Sequence, residues 1–573
     1  MLSIFVNLYF SNIFNMSFKY FICLYLFFFI KVIESNGQEM LSGNIMVDEY
    51  IRNKVLTNDK DVGMMLRIPS IFSQNFLINP DSISTKKKIY LDFSPIFFNS
   101  RLDVKRPYIG NEYGMIPAKG SQGFFSVGLS ARLFNFYISL QPEVVISQNL
   151  TFSGFKGGFP DNVIAARFLY WNAGDSPERF GNSTYKKLFW GQSGVSFRFG
   201  SFELGGGTKN IWWGPGQWNS LILSNNAPGF PNVSFNTVKP AKSFFGSFEG
   251  QIFIGRLESS NQEPTQIQEL NDRYFTNLSS DWRYINGIMI SFSPKLIKSL
   301  SLGYARTYQY YNSTRPKDLK GWLPILEPMA KEKLFSNGNS VDYDSRAQSQ
   351  QISVFGSYIA KKASSQIYFQ FGRRDHALNW REFFLNPEHA RAYQVGFIKL
   401  ETFTKSKKKL QIRGEITNQQ ESVNRYLRYD LAGGITWHTH GQVRGFTNYG
   451  QPMGVGIGTG GNVQTLEISM IEDWNKFGIL FERLENNQDF YYRAFGQQGE
   501  LKPWIDMSTA LLWNISFKNL FISTRLQGTY ARNYQWGLSK TSTPEFPVSH
   551  NLFSVHSHVN LIYFWNRGLN KEK

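Results

Sequence analysis

Cysteine is almost absent: the 573 residues contain one, Cys23. It lies in an apolar run near the N-terminus, without the small residues that precede a lipidated cysteine. Disulfides, thiolate metal sites and cysteine nucleophiles are therefore excluded from the rest of the chain. Charge is also scarce, at 18%, where soluble domains run near about 25%. Acidic residues are the scarcer sign, 43 against 61 basic, leaving a net charge of +18. Such a balance suits an anionic membrane face, an acidic polymer or nucleic acid. No dense basic run and no nucleic-acid motif occurs, so nucleic acid is not an expected partner. GxSxG and HExxH are missing too. Pairs such as Glu472 with Asp473, or Glu485 with Asp489, show no sign of converging for acid–base work, and no enzyme is expected. Beyond the N-terminus no apolar stretch reaches the roughly 20 residues of a spanning helix.

Aromatics are abundant, at 16%, with 52 Phe and 49 Gly. The chain opens on a targeting segment. Lys19 precedes the apolar run Tyr20 to Ile30, and the polar stretch Ser35 to Gln38 follows. That order predicts a secretory signal over 1–37, with Met16 as an alternative start. Residues 38–88 read as a partly helical periplasmic or plug segment, because Val47, Tyr50, Ile51 and Val55 recur at helical spacing.

From 89 to 565 the period is two. Phe134, Phe136, Ile138 and Leu140 alternate with Asn135, Tyr137, Ser139 and Gln141. Phe553, Val555, Val559, Leu561 and Tyr563 share a face opposite Ser554, His556, His558 and Asn560. One-sided strands fit a soluble sandwich or a membrane barrel. Connection lengths decide. Short turns are expected at Pro294 to Ser299, Lys361 to Ser365, Thr404 to Lys409, Asn475 to Gly478 and Phe517 to Asn519. Long connections intervene at 309–349, 373–392, 438–462, 486–506 and 533–551. Short periplasmic turns alternating with long external loops mark an all-β, transmembrane antiparallel barrel. Its length suffices for roughly 16 to 20 strands, with a tail at 566–573. Lysines crowd the short turns, Lys476 among them, and read as solubility and edge protection.

Three unusual segments fall on the outer side by this phase. Trp212, Trp213 and Trp218 flank Gly214-Pro215-Gly216, a centre that neither helix nor inner strand accommodates. Arg373, Arg374, His376, Trp380, Arg381, His389 and Arg391 form the second set, and Trp437, His438 and His440 the third. Indole faces stack on sugar rings, and Arg and His donate to hydroxyls and carboxylates, so these residues are candidates for binding an acidic polysaccharide. Alternatively the same loops fold into the lumen as a plug, with aromatic corners and arginine staples. His438 and His440 lack an identifiable third ligand, so no metal is expected. Gly456, Gly458 and Gly461 form GxGxxG, but Leu466, Ile468 and Met470 beyond it alternate as a strand, so no dinucleotide or other cofactor is expected.

The tryptophan stretch resembles the signature of Wzi-type outer-membrane capsule-assembly proteins, in the form seen in Bacteroidetes. Phe97 to Ser100, Arg106-Pro107-Tyr108, Pro177 to Gly181, Gly372 to His376, Trp380 to Phe383, Pro387 to Tyr393 and Trp437 to His440 extend the resemblance. It implies about eighteen strands and a surface lectin that binds capsular polysaccharide and supports capsule attachment. Outer-membrane lipid and the capsule export machinery are the other partners expected. A porin-like channel for anionic saccharides is the alternative.

Overall fold

A computed structural model describes residues 38–40, 44–57, 65–67, 70–72, 89–110, 112–326, 348–375, 380–403, 406–422, 435–495, 502–543 and 545–565. The expected signal at 1–37, the tail at 566–573 and His376 lie outside these residues. Among the described residues, twenty-three strand segments close into one antiparallel barrel. Five pairs of segments continue one another across short interruptions, so the wall has eighteen strands.

The wall begins with β1 (Ile89–Phe93 and Ile96–Asp103), β2 (Gly120–Ser126 and Leu129–Leu133), β3 (Phe136–Leu140 and Glu143–Ser147), β4 (Tyr185–Phe189 and Gly194–Phe199) and the single-segment β5 (Phe202–Gly207). Then come β6 (Asn232–Thr237 and Ala241–Lys242), β7 (Gly246–Leu257), β8 (Arg283–Pro294), β9 (Leu300–Tyr311) and β10 (Gln348–Ala360). β11 (Ser365–Arg374), β12 (Arg391–Thr402), β13 (Lys409–Asn418) and β14 (Asn462–Glu472) follow. β15 (Asn475–Glu485), β16 (Ile505–Phe517), β17 (Leu520–Arg532) and β18 (Leu552–Tyr563) complete the wall. Pro95, Pro142 and Pro240 stand at three of the five interruptions, since proline cannot donate to a ladder. β18 pairs with β1, His556 opposite Asp103, and leaves no free edge.

Side chains alternate across the wall. On β16, Met507, Leu511, Trp513 and Phe517 point out and are exposed, while Asp506, Ser508 and Asn514 point in and are buried. Short and long connections alternate as expected. One expected turn is displaced: β14 and β15 join at Asp473 and Trp474, so Asn475 to Gly478 already lie in a strand. Lys476 therefore faces the lumen and is buried, not a solvating turn lysine.

Helix α1 (Ile45–Thr57) sits inside the barrel at its short-turn end. Tyr50 stacks on Trp474 at 3.8 Å, and Leu56 packs with Ile398, Leu400 and Ile471. Glu49 reaches Arg413 at 3.0 Å and Lys476 at 2.7 Å, and both cations also meet Glu467. Buried charges persist only when paired, and this group balances two against two. At the other end α2 (Asp161–Gly174), α3 (Gln268–Tyr274), the short α4 (Leu319–Trp322) and α5 (Trp380–Leu385), and α6 (Gln488–Phe495) belong to external loops. α2 and α6 enclose Phe155, Phe168, Trp171, Phe490, Phe495 and Trp536 in one aromatic cap. The Arg167 guanidinium lies 4.3 Å from the Trp171 ring within it.

Candidate functional site

The loop between β5 and β6 starts at the outer rim and turns into the lumen. Trp212 and Trp213 are 2% and 1% exposed, which corrects the expectation of indole faces offered at the surface. They form a two-residue antiparallel pairing with Leu66 and Arg67 from the N-terminal segment. Arg67 lies over the Trp212 ring at 4.4 Å and holds Asp48 of α1 at 2.7 Å. The Trp213 indole donates to Gln251 on the wall at 2.8 Å. Its ring fills the space above Gly287, where a Cβ would stand 2.8 Å from it. Trp218 is half-buried against Leu480, Ala510 and Leu512, with Arg413 at 4.6 Å from its ring.

One carboxylate anchors the turn. Glu415 on β13 accepts from the backbone N–H of Gln217 at 2.6 Å, Trp218 at 3.3 Å and Asn219 at 3.0 Å. The Tyr368 hydroxyl donates to it at 2.6 Å, and Gln217 Nε2 donates to that hydroxyl at 2.9 Å. Three consecutive amides on one carboxylate fix a loop that has no ladder of its own. The sequence offered no specific signal for Glu415. Gln411, Arg413 and Glu415 are simply the polar face of a strand.

The third candidate set also turns inward. Trp437 is buried, and its carbonyl accepts from Gln351 at 3.2 Å and Arg374 at 3.3 Å. Its ring requires Gly372, where a Cβ would stand 2.7 Å away. Arg374 is buried as well and donates to Ser349 at 3.0 Å. His438 meets Gln419 at 2.7 Å, and burial, with Arg374 nearby, pushes its imidazole down to about 3. His440 is buried 3.5 Å from Asp375, and half-buried His389 stands 3.8 Å from the same carboxylate. Among the described residues no group of three or more His, Cys, Asp or Glu is arranged to hold a metal. Arg373 donates to the carbonyls of Phe383 and Asn386, both at 3.0 Å. Arg391 is half-buried beside Tyr393. Trp380 and Arg381, on α5, stand exposed.

The candidates thus divide. Trp212, Trp213, Trp218, Arg374, Trp437, His438 and His440 hold lumen-filling chain together. Trp380 and Arg381 face out at the rim, with Arg391 and His389 beneath. A small polar cavity of about 70 Å³ remains between α1 and the wall, lined in part by Glu112, Trp218, Arg413, Lys476, Arg525 and His558.

A family model described as capsule assembly protein Wzi matches residues 104–532. The chain belongs to the Wzi capsule assembly family. Among solved structures it is similar to Wzi of Escherichia coli, described as an outer membrane protein involved in group 1 capsule assembly and a carbohydrate-binding β-barrel. That likeness has a TM-score of 0.54 at 15% identity and covers 92% of this chain and 100% of that one. OccAB2 of Acinetobacter baumannii and OprD of Pseudomonas aeruginosa follow at TM-scores of 0.36 and 0.34 and identities of 11% and 8%. Each covers 82% of this chain, matching 97% and 92% of its own length. Among curated proteins none matches. This Wzi-family chain is a β-barrel of the outer membrane.

Proposed function

We propose that this Wzi-family barrel is a non-enzymatic lectin that binds acidic capsular polysaccharide at its outer end and supports capsule assembly or attachment at the cell surface. The observation that carries this reading over a porin-like channel is the filling of the lumen. A channel for anionic saccharides needs a continuous water path. Here α1, the tryptophan loop and the 435–461 loop are hydrogen-bonded to the wall and to one another. Arg52 joins α1 to Gly216 of the tryptophan loop at 3.2 Å, and Asn226 joins that loop to Pro452 at 2.8 Å. Recognition is therefore assigned to the exterior. The net charge of +18 suits an anionic polymer. Trp380 offers a face for a sugar ring and Arg381 a donor for its carboxylate. The buried tryptophans are read as the internal frame that holds the rim in place. The capsule export machinery is a further partner on this reading.

Binding of purified capsular polysaccharide to the purified barrel tests it, alongside single-channel recording. Saturable, salt-sensitive binding without steady currents is expected. Large steady currents without binding would transfer the assignment to the channel.

A further inference from the structure

The outward face of the barrel is uneven in height. On β16 it stays exposed from Met507 to Phe517, apolar at every outward position but Thr509. At a rise of about 3.3 Å per residue and a tilt near 40°, that spans roughly 25 Å, the height of a barrel's lipid-facing band. On β8 to β11 it stops early. Ile290, Leu302, Val354 and Phe369 are exposed, but further along the same outward faces Asn286, Arg306, Gln350 and Arg373 are buried. Between Val354 and Tyr358 on β10, or Ile367 and Phe371 on β11, the bare band is only about 10 Å tall.

Polar side chains on the outside of a membrane wall need a cover, and external loops supply it. Tyr284 donates to the carbonyl of Trp322 at 2.6 Å, and Arg306 to that of Ile325 at 2.8 Å. Arg373 donates to the carbonyls of Phe383 and Asn386. The segments 312–326 and 380–386 therefore lie against the outside of the wall, not above its mouth. Their far sides are apolar: Leu319, Trp322, Leu326, Phe384 and Leu385 are exposed, with Leu326 at 72% and Phe384 at 73%. The surface they make continues the lipid-facing band of β8 to β11 upward. An uncovered arginine facing hydrocarbon is destabilising, and these loops take Arg306 and Arg373 out of that contact.

We propose that the apolar far sides of these two loop segments are immersed in the outer leaflet and complete the lipid-facing band on this flank, with anionic lipid as their partner and with Trp380 and Arg381 left at the headgroup level, open to the polymer. Leu319, Leu326, Phe384 and Leu385 meet acyl chains. Trp322 sits at the depth where indoles gather at membrane interfaces. Arg315 is half-buried between the Tyr284 and Trp322 rings, at 4.7 and 4.1 Å, with its Nε and Nη1 enclosed, and braces the segment against the wall. Exposed Lys317, two residues further on, suits a lipid phosphate.

Nitroxide labels on single cysteines test this, with Cys23, the sole native cysteine, replaced by serine. Leu326→Cys and Phe384→Cys are compared with Leu511→Cys on the bare wall and Asn162→Cys on the cap, in phosphatidylcholine–phosphatidylglycerol vesicles. The ratio of oxygen to aqueous nickel collisions at positions 326 and 384 should match that at 511 and exceed that at 162 several-fold. Values equal to those at 162 would overturn the proposal. Leu385→Cys replaces Phe384→Cys if the latter fails to assemble. Repeating the measurement at 326 without phosphatidylglycerol, and with phosphatidylglycerol in a chain that also carries Lys317→Gln, reads the headgroup. A shallower label at 326 in both cases is expected, and an unchanged depth would remove anionic lipid from the proposal.

Discussion

Two groups of tryptophans in this chain do opposite things. Trp212 and Trp213 are enclosed by wall, loop and N-terminal segment, with Trp213 donating to Gln251 and Arg67 lying over Trp212. Trp380 stands 48% exposed on a short helix at the rim, touching only Phe383 and Phe384 among aromatic rings of the described residues. The difference lies in what surrounds each indole. A loop that can reach the lumen finds glycine seats such as Gly287, amides that Glu415 can hold, and a second chain segment to pair with. The loop between β11 and β12 turns back instead and packs on the outside of its own wall. Indole content therefore marks a site as important without saying which side of the barrel it serves.

The comparison is broken most directly by removing the buried group. Trp212→Ala, Trp213→Ala and Trp218→Ala together should abolish accumulation of the barrel. Truncating one buried tryptophan costs about 3–5 kcal/mol, and whole-protein stability is commonly about 5–15 kcal/mol. Loss of the heat-modifiable band from outer-membrane fractions is the expected readout. A normal band with lost polysaccharide binding would instead move these residues to the ligand. Next in size is Glu49→Gln. It leaves Arg413 and Lys476 sharing Glu467 alone, and breaking a buried pair costs about 3–5 kcal/mol. A lower unfolding midpoint is expected, together with brief channel openings as α1 loosens. Unchanged stability would mean that the helix is held by Tyr50 and Leu56 without help from the ion pairs.

The exposed group should respond in the opposite way. Trp380→Ala with Arg381→Gln should leave thermal stability within about 0.5 kcal/mol, as for other surface changes. Binding of capsular polysaccharide should weaken by about 1–3 kcal/mol, or roughly 5- to 150-fold. The Arg381 share should fade as salt rises, since exposed charges are screened over about 8 Å at physiological ionic strength. Destabilisation without loss of binding would return both residues to a structural role.

Much of the barrel was legible because its physics repeats. Period-two faces and alternating connection lengths recur along the whole wall, and each strand restates the same constraint. The slip at Asn475 to Gly478 shows the limit. Lysine and asparagine there look like turn residues, yet the turn sits at Asp473 and Trp474, and a shift of a few residues carried Lys476 into the lumen. The burial of the tryptophan loop was not legible, because it depends on partners far away in sequence: Leu66, Gln251, Tyr368 and Glu415. None carries a local mark that distinguishes a wall residue facing a plug from one facing water. The cap helix α2 is similar. Its buried set, Val163, Ile164, Arg167, Phe168, Tyr170 and Trp171, lies on one face, but that face carries a charged residue and the opposite face carries Ala165, Ala166 and Leu169, so the apolar stripe is blurred.

The smallest effect separates the lumen from the rim by pH. His438 lies in the loop between β13 and β14, with burial and then Arg374 pushing its imidazole down to about 3. In the unfolded chain it titrates near about 6.5. Between these values the unfolded state binds a proton that the folded state refuses, so stability rises with pH across this window and falls as pH drops through it. Below the folded value both states carry the proton and the dependence ends. Unfolding midpoints should therefore decline between about pH 6.5 and pH 3, and His438→Gln should flatten part of that slope while keeping a partner for Gln419. Replacing the exposed rim pair removes neither an imidazole nor a carboxyl group, so Trp380→Ala with Arg381→Gln should leave the slope unchanged. An equal slope in the wild type and in His438→Gln would show that this histidine is open to water, and the third candidate segment would then belong with the rim instead of the lumen.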